Sequence, residues 1–145
     1  MIKMGNKPYF KAIIAEKEGI EAAYLRLLLE KNGWKAEVVH SPFDLIRKME
    51  KDGGDYSLVL MDREFCQNDG LSAPIKIKNM EQAVNHSITV VGVTSYTLAE
   101  EKKKLMAAGV DYCLTKPVYN DSIVSMLQNI MTAVLSSSTP TVLSA

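Results

Sequence analysis

Three short apolar runs decide the reading of this chain. Ser57-Leu58-Val59-Leu60-Met61 ends in Asp62, Thr89-Val90-Val91-Gly92-Val93 ends in Thr94, and Asp111-Tyr112-Cys113-Leu114-Thr115 ends in Lys116 and Pro117. Runs of this length, rich in β-branched and aliphatic residues, read as buried strands. Each ends in a polar residue of a different chemical kind. In an open α/β sheet, ligands bind outside the carboxyl ends of the strands. A carboxylate, a hydroxyl and an ammonium gathered there are the parts of a phosphoryl-accepting site.

Working outward, strand and helix signals alternate about five times, which predicts a parallel sheet covered on both faces. The first strand is read at Phe10–Ala15 and the second at Ala36–His40. The first helix is expected from about Gly19 to Asn32, with Ile20, Ala23, Tyr24, Leu27 and Leu28 as its apolar stripe and Gly33 as its stop. The second opens at Ser41-Pro42, a capping serine followed by proline at the first helical position, and carries Phe43, Leu45, Ile46 and Met49. A loop is expected over Arg63–Gly70 and a third helix over Leu71–Ala83, with Pro74 in its first turn. The fourth helix covers about Leu98–Ala108, stopped by Gly109. The fifth covers about Asn120–Leu135, with Ile123, Leu127, Ile130, Met131 and Val134 on one face. Residues 1–8 read as an N-terminal extension, 9–135 as one domain, and 136–145, small and uncharged, as a flexible tail or linker.

The composition narrows the function classes. The chain has 145 residues, enough for one domain with a proper core. Its 17 Lys and Arg balance 17 Asp and Glu, so no global basic field attracts nucleic acid. No apolar run approaches membrane-spanning length and the start lacks an apolar signal core. Cys66 and Cys113 have no metal-ligand spacing, so a cytoplasmic protein with reduced thiols is expected. After the first strand stands Glu16-Lys17-Glu18 and not a glycine-rich phosphate loop, which disfavours a flavodoxin-type cofactor binder. No nucleophile–histidine pair suggests an enzyme with a diffusible substrate.

Met61-Asp62-Arg63-Glu64-Phe65-Cys66-Gln67-Asn68-Asp69-Gly70-Leu71 resembles the segment around the phosphoaccepting aspartate of two-component response-regulator receiver domains, which usually carry proline where Cys66 stands. Val93-Thr94-Ser95, Ala107-Ala108-Gly109-Val110-Asp111 and Leu114-Thr115-Lys116-Pro117 resemble that family's later motifs, in order. The likeness covers about Tyr9 to Leu135. It implies a flavodoxin-like (βα)5 doubly wound parallel sheet with strand order 2-1-3-4-5. It also implies that Asp62 accepts a phosphoryl group from the phosphohistidine of a histidine kinase or histidine phosphotransfer protein, and that Thr94 and Lys116 bind the phosphoryl oxygens. Glu16, Asp62 and the Glu64 backbone would hold Mg2+, with Lys116-Pro117 a cis-peptide candidate. In that family, side chains two residues beyond the aspartate and the hydroxyl flank the path of the hydrolytic water, so the resemblance implies that Glu64 and Tyr96 set phosphoryl lifetime. Cys113 occupies the switch position on the fifth strand, where many receivers carry an aromatic residue.

One departure bears on the metal. The family places two acids after the first strand; here they fall on Glu16 and Lys17. An ammonium is no ligand for magnesium and repels it, so Mg2+ binding is expected to be weak. Three readings stay open: Glu18 substitutes as a ligand, Lys17 lies against Asp62 as a built-in cation, or the site is never phosphorylated. The leading expectation is a phosphoacceptor that switches its fourth-helix, fifth-strand and fifth-helix face, which is also the surface expected for any homodimer. The alternative is a pseudo-receiver, a phosphorylation-independent interaction module. A DNA-binding output domain is not expected after Leu135. Cys66, in the loop beside Asp62, is read as a candidate exposed thiol.

Overall fold

Five apolar runs become strands because both faces of the sheet are covered. The computed structural model describes residues 10–66, 73–84 and 86–144. Its strands are β1 Lys11–Ala15, β2 Lys35–Val39, β3 Leu58–Asp62, β4 Thr89–Thr94 and β5 Tyr112–Thr115. They lie parallel in the order β2-β1-β3-β4-β5, as expected. The helices are α1 Gly19–Lys31, α2 Pro42–Asp52, α3 Arg63–Cys66, α4 Ala73–Asn79, α5 Glu81–Val84, α6 Ala99–Ala107 and α7 Asn120–Ser144. No helix among the described residues is long and apolar enough to cross a membrane.

Strand alternation sorts the core into two layers. Ala12, Ile14, Leu58, Leu60, Val91, Val93 and Leu114 face α1 and α7. Ile13, Ala15, Val59, Met61 and Val90 face α2, α4 and α6, where Leu45, Met49, Ile77 and Leu105 meet them. In the central strand β3, Leu58 to Met61 are at most 1% exposed. Each such side chain contributes about 1.5–3 kcal/mol of burial, which makes β3 a firm platform for Asp62 at its end.

Local signals behave as their chemistry requires. The Ser41 hydroxyl accepts from the Asp44 N–H at 3.1 Å and caps α2, whose first residue is Pro42. Gly109, stopping α6, has φ +110°, and a Cβ there would lie 2.8 Å from Ile75 Cγ1.

Four expectations are corrected. The buried stripe of α1 is Ala22, Leu25, Leu28 and Leu29, while Ile20 and Leu27 are exposed and Tyr24 is partly so. The helix is apolar over more than one face, and helical spacing alone fits either stripe. The segment after Asp62 opens with the helical turn α3 where a loop was expected. The expected third helix is two pieces, α4 and α5, broken at Met80, with 71 and 72 outside the described residues. The last helix continues to Ser144, through most of the stretch read as a tail. No glycine stop follows Leu135, and a formed helix adds one bond per further residue. Residues 1–9, hence the expected extension, and 67–71 of the aspartate motif lie outside the described residues.

Candidate phosphoryl-accepting site

Sheet register brings the three strand ends together. Asp62 on β3 pairs with Val93 on β4, which places Thr94 one residue further along. Thr94 pairs with Thr115 on β5, and the Lys116 N–H donates to the Thr94 carbonyl at 2.7 Å. The three side chains therefore stand at neighbouring strand ends on the carboxyl edge of the sheet. The Lys116–Pro117 peptide is cis.

Lys116 is the hub of the pocket. Its ammonium lies 2.7 Å from Asp62 Oδ1, 3.4 Å from Glu16 Oε1 and 3.5 Å from Glu21 Oε1. Burial by itself would lower its pKa. The hydrogen bond and charge of Asp62, followed by the charges of Glu16 and Glu21, outweigh that and hold it above the usual lysine value. The other Asp62 oxygen, Oδ2, accepts from the Glu64 N–H at 3.1 Å. Asp62 keeps 15% of its side chain exposed, which leaves an approach for a reactant.

Glu16 is 4% exposed and is fixed on several sides. Its Oε2 accepts from the Glu18 N–H at 3.0 Å, and its carbonyl lies 3.0 Å from His40 Nδ1. Because a carbonyl only accepts, Nδ1 carries the proton in that contact. Burial pushes the Glu16 carboxyl up, the Glu18 amide pulls it down, and the nearby Asp62 charge raises it again; the net direction is upward.

Lys17 points elsewhere. Its exposed ammonium pairs with Glu64 Oε1 at 3.2 Å. It is therefore not the built-in cation of Asp62, a place that Lys116 fills. Glu18 is exposed and caps α1 without a side-chain hydrogen bond. Among the described residues, no group of three or more His, Cys, Asp or Glu is arranged to hold a metal ion. Glu16 and Asp62 remain as two oxygen donors, a set that fits a magnesium ion keeping several of its waters. A groove of about 470 Å3 opens alongside, lined by Lys17, His40, Arg63 and Glu64 among others.

Thr94 is 1% exposed, and its hydroxyl oxygen accepts from the Tyr96 N–H at 3.0 Å. Tyr96 is 46% exposed, with the Arg63 guanidinium 4.3 Å from its ring centroid. Arg63 Nε also donates to Glu101 Oε1 on α6 at 2.9 Å. Cys113 is partly buried against the α2–α4–α6 layer, opposite in facing to Tyr112, which packs on the α1–α7 layer. The reading of Cys66 as an exposed thiol is corrected. It is 1% exposed, and burial, then the Asp62 charge, push its thiol up to about 12. The short helix α3 turns it inward, beneath the backbone of Met61 and Asp62.

Two residues went unremarked in the sequence. Glu21 lies one helical turn beyond Lys17 in the first turn of α1, and that spacing was the available signal. Arg63 adjoins Asp62, but its partners Tyr96 and Glu101 come from distant sequence and only the fold reveals them.

An open sheet in this order, with carboxylate, hydroxyl and ammonium meeting at its carboxyl edge, defines a receiver-type α/β domain. Residues 12–128 match the family model described as "Response regulator receiver domain", and the chain belongs to that family. It is 32% identical over 105 residues to the Arabidopsis thaliana protein "Two-component response regulator ARR22", covering 71% of this chain and 64% of that one. It is 30% identical over 125 residues to the Dictyostelium discoideum "Hybrid signal transduction histidine kinase K", covering 81% of this chain and 10% of the kinase. The chain thus spans just under two thirds of the plant relative and a small part of the hybrid kinase. Its fold matches a chain from the co-crystal structure of the Saccharomyces cerevisiae histidine phosphotransfer signaling protein Ypd1 and the receiver domain of its downstream response regulator Ssk1. That match has a TM-score of 0.67 at 21% identity and covers 81% of this chain and 86% of the other.

Proposed function

We propose that this receiver domain works in a two-component phosphorelay as a signalling module and not as a conventional enzyme. We propose that Asp62 is its phosphoacceptor, taking the phosphoryl group from a phosphohistidine on a histidine kinase or histidine phosphotransfer protein in the cytoplasm. A carboxylate oxygen of Asp62 bonds to phosphorus, the phosphorus–nitrogen bond breaks, and the imidazole nitrogen keeps the bonding pair. The carrying observation is the Lys116 ammonium 2.7 Å from Asp62 Oδ1. It holds the carboxylate in place and offsets charge on the transferred group, which is most of what such a transfer requires.

Thr94 completes the switch. Its hydroxyl now serves the Tyr96 amide and turns to a phosphoryl oxygen once one is present. That exchange draws the 95–98 loop inward and shifts α6, β5 and α7, the face offered to downstream partners or a second copy. Tyr96 and Glu64 flank the attacking water and set how long the phosphoryl group survives. A bound Mg2+ would supply neutralising charge for the phosphoryl oxygens. Glu16, Asp62 and the Glu64 backbone would hold it, and weakly, because Lys17 replaces an acid.

The pseudo-receiver reading draws on Lys17. Its expected prop, a Lys17–Asp62 contact, is replaced by the Lys17–Glu64 pair. The deciding experiment incubates the chain with a radiolabelled phosphohistidine phosphotransfer protein. Label moving to the wild type and not to Asp62→Asn supports the phosphoacceptor; label moving to neither supports the interaction module.

A further inference from the structure

Arg63 joins three parts of the chain with one side chain. It follows Asp62 directly, its guanidinium lies 4.3 Å from the centroid of the Tyr96 ring, and its Nε donates to Glu101 Oε1 on α6 at 2.9 Å. Neither end of this contact is loose. The Arg63 and Glu101 side chains are 29% and 16% exposed, and the hydrogen bond from Arg63, helped by its charge, holds the Glu101 carboxyl below its usual pKa. Tyr96, by contrast, is 46% exposed. A half-exposed tyrosine flips among rotamers unless something fixes its ring. The planar guanidinium does so from one face, and Glu101 fixes the guanidinium.

We propose that Arg63 is a positioning residue for phosphoryl lifetime: anchored by Glu101, it holds the Tyr96 ring beside Asp62, where the ring screens the phosphoryl group from water. This rests on the phosphoacceptor reading of Asp62. Arg63 acts through Tyr96, so the two residues form one unit. Removing either removes the screen, and removing both costs no more than removing one.

The test loads the full chain with a small phosphoryl donor in Mg2+, removes the donor, and follows decay of the phosphorylated form by intact mass. Arg63→Ala and Tyr96→Ala should each speed decay by roughly two- to fivefold, the rate equivalent of one partly exposed cation–π contact. The double variant should match the singles, and Glu101→Gln should fall between wild type and Arg63→Ala. Arg63→Lys should decay faster than wild type, because an ammonium keeps the charge but loses the planar stack. Wild-type decay in Arg63→Ala, full rescue by Arg63→Lys, or additive rates in the double variant would overturn the inference while leaving the phosphoacceptor intact. A wild-type chain that takes no phosphoryl group would overturn both.

Discussion

Lys17 places its ammonium 3.2 Å from Glu64 Oε1, on the rim of the acidic pocket, while the Lys116 ammonium lies 2.7 Å from Asp62 Oδ1. The position that carries a second acid in related domains therefore carries an outward cation that neutralises a rim carboxylate. On the proposed reading, the pocket keeps its nucleophile, Asp62, and its phosphoryl-binding lysine, Lys116, but lacks one metal ligand.

An acid at position 17 should strengthen the proposed metal site. Lys17→Asp is expected to tighten Mg2+ binding roughly tenfold, or ~1.4 kcal/mol, as a repelling charge becomes an attracting one. Calorimetric titration reads this directly, and equal affinity in the two proteins would show that position 17 does not govern the metal.

Glu16 gives the pocket a pH signature. Burial, its largest cause, raises its carboxyl in the folded state, so ionised Glu16 opposes folding. That penalty is absent below the unfolded glutamate value near about 4.3 and complete above the higher folded value. Glu16→Gln should raise stability at pH 7, by an amount that shrinks toward pH 4. Urea denaturation at the two pH values measures it; no gain at pH 7 would contradict the assignment.

The cysteines should separate by reactivity. Cys66 is 1% exposed with its thiol pushed up to about 12, whereas Cys113 is only partly buried. At pH 8 a disulfide reagent should label Cys113 first and Cys66 only on unfolding. Comparable rates at both sites, read by peptide mass, would mean that α3 opens readily.

Two glycines with positive φ test the packing of α6. At Gly109 a Cβ would meet Ile75 Cγ1 at 2.8 Å and the Ile75 amide nitrogen at 3.1 Å; at Gly33, φ +88°, nothing lies within 4 Å. Gly33→Ala should cost about 1 kcal/mol from backbone strain alone. Gly109→Ala should cost roughly 2–4 kcal/mol, since overpacking is added. Equal costs in denaturant melts would show that α4 yields easily at Ile75.

The triangle of strand-end residues was legible because each of them ends an apolar run, and strand order turns three sequence ends into three neighbours. Asp62, Thr94 and Lys116 needed only that rule. The α1 face was not legible: Ile20 and Leu27 satisfy helical spacing as well as Leu25 and Leu29 do, and only the sheet decides which stripe it covers. The break at Met80 carries no glycine or proline to announce it. Glu21 and Arg63 reach their partners across the fold, at 3.5 Å from Lys116 and 2.9 Å from Glu101, so their roles depend on tertiary placement that local pattern does not encode.

The most direct test of the central claim is intact-protein mass after incubation with a small phosphoryl donor, with Mg2+ or with chelator, alongside Asp62→Asn. The account predicts one added phosphoryl group on the wild type in Mg2+ and none on Asp62→Asn. No addition to the wild type under either condition, or equal addition to Asp62→Asn, would contradict it.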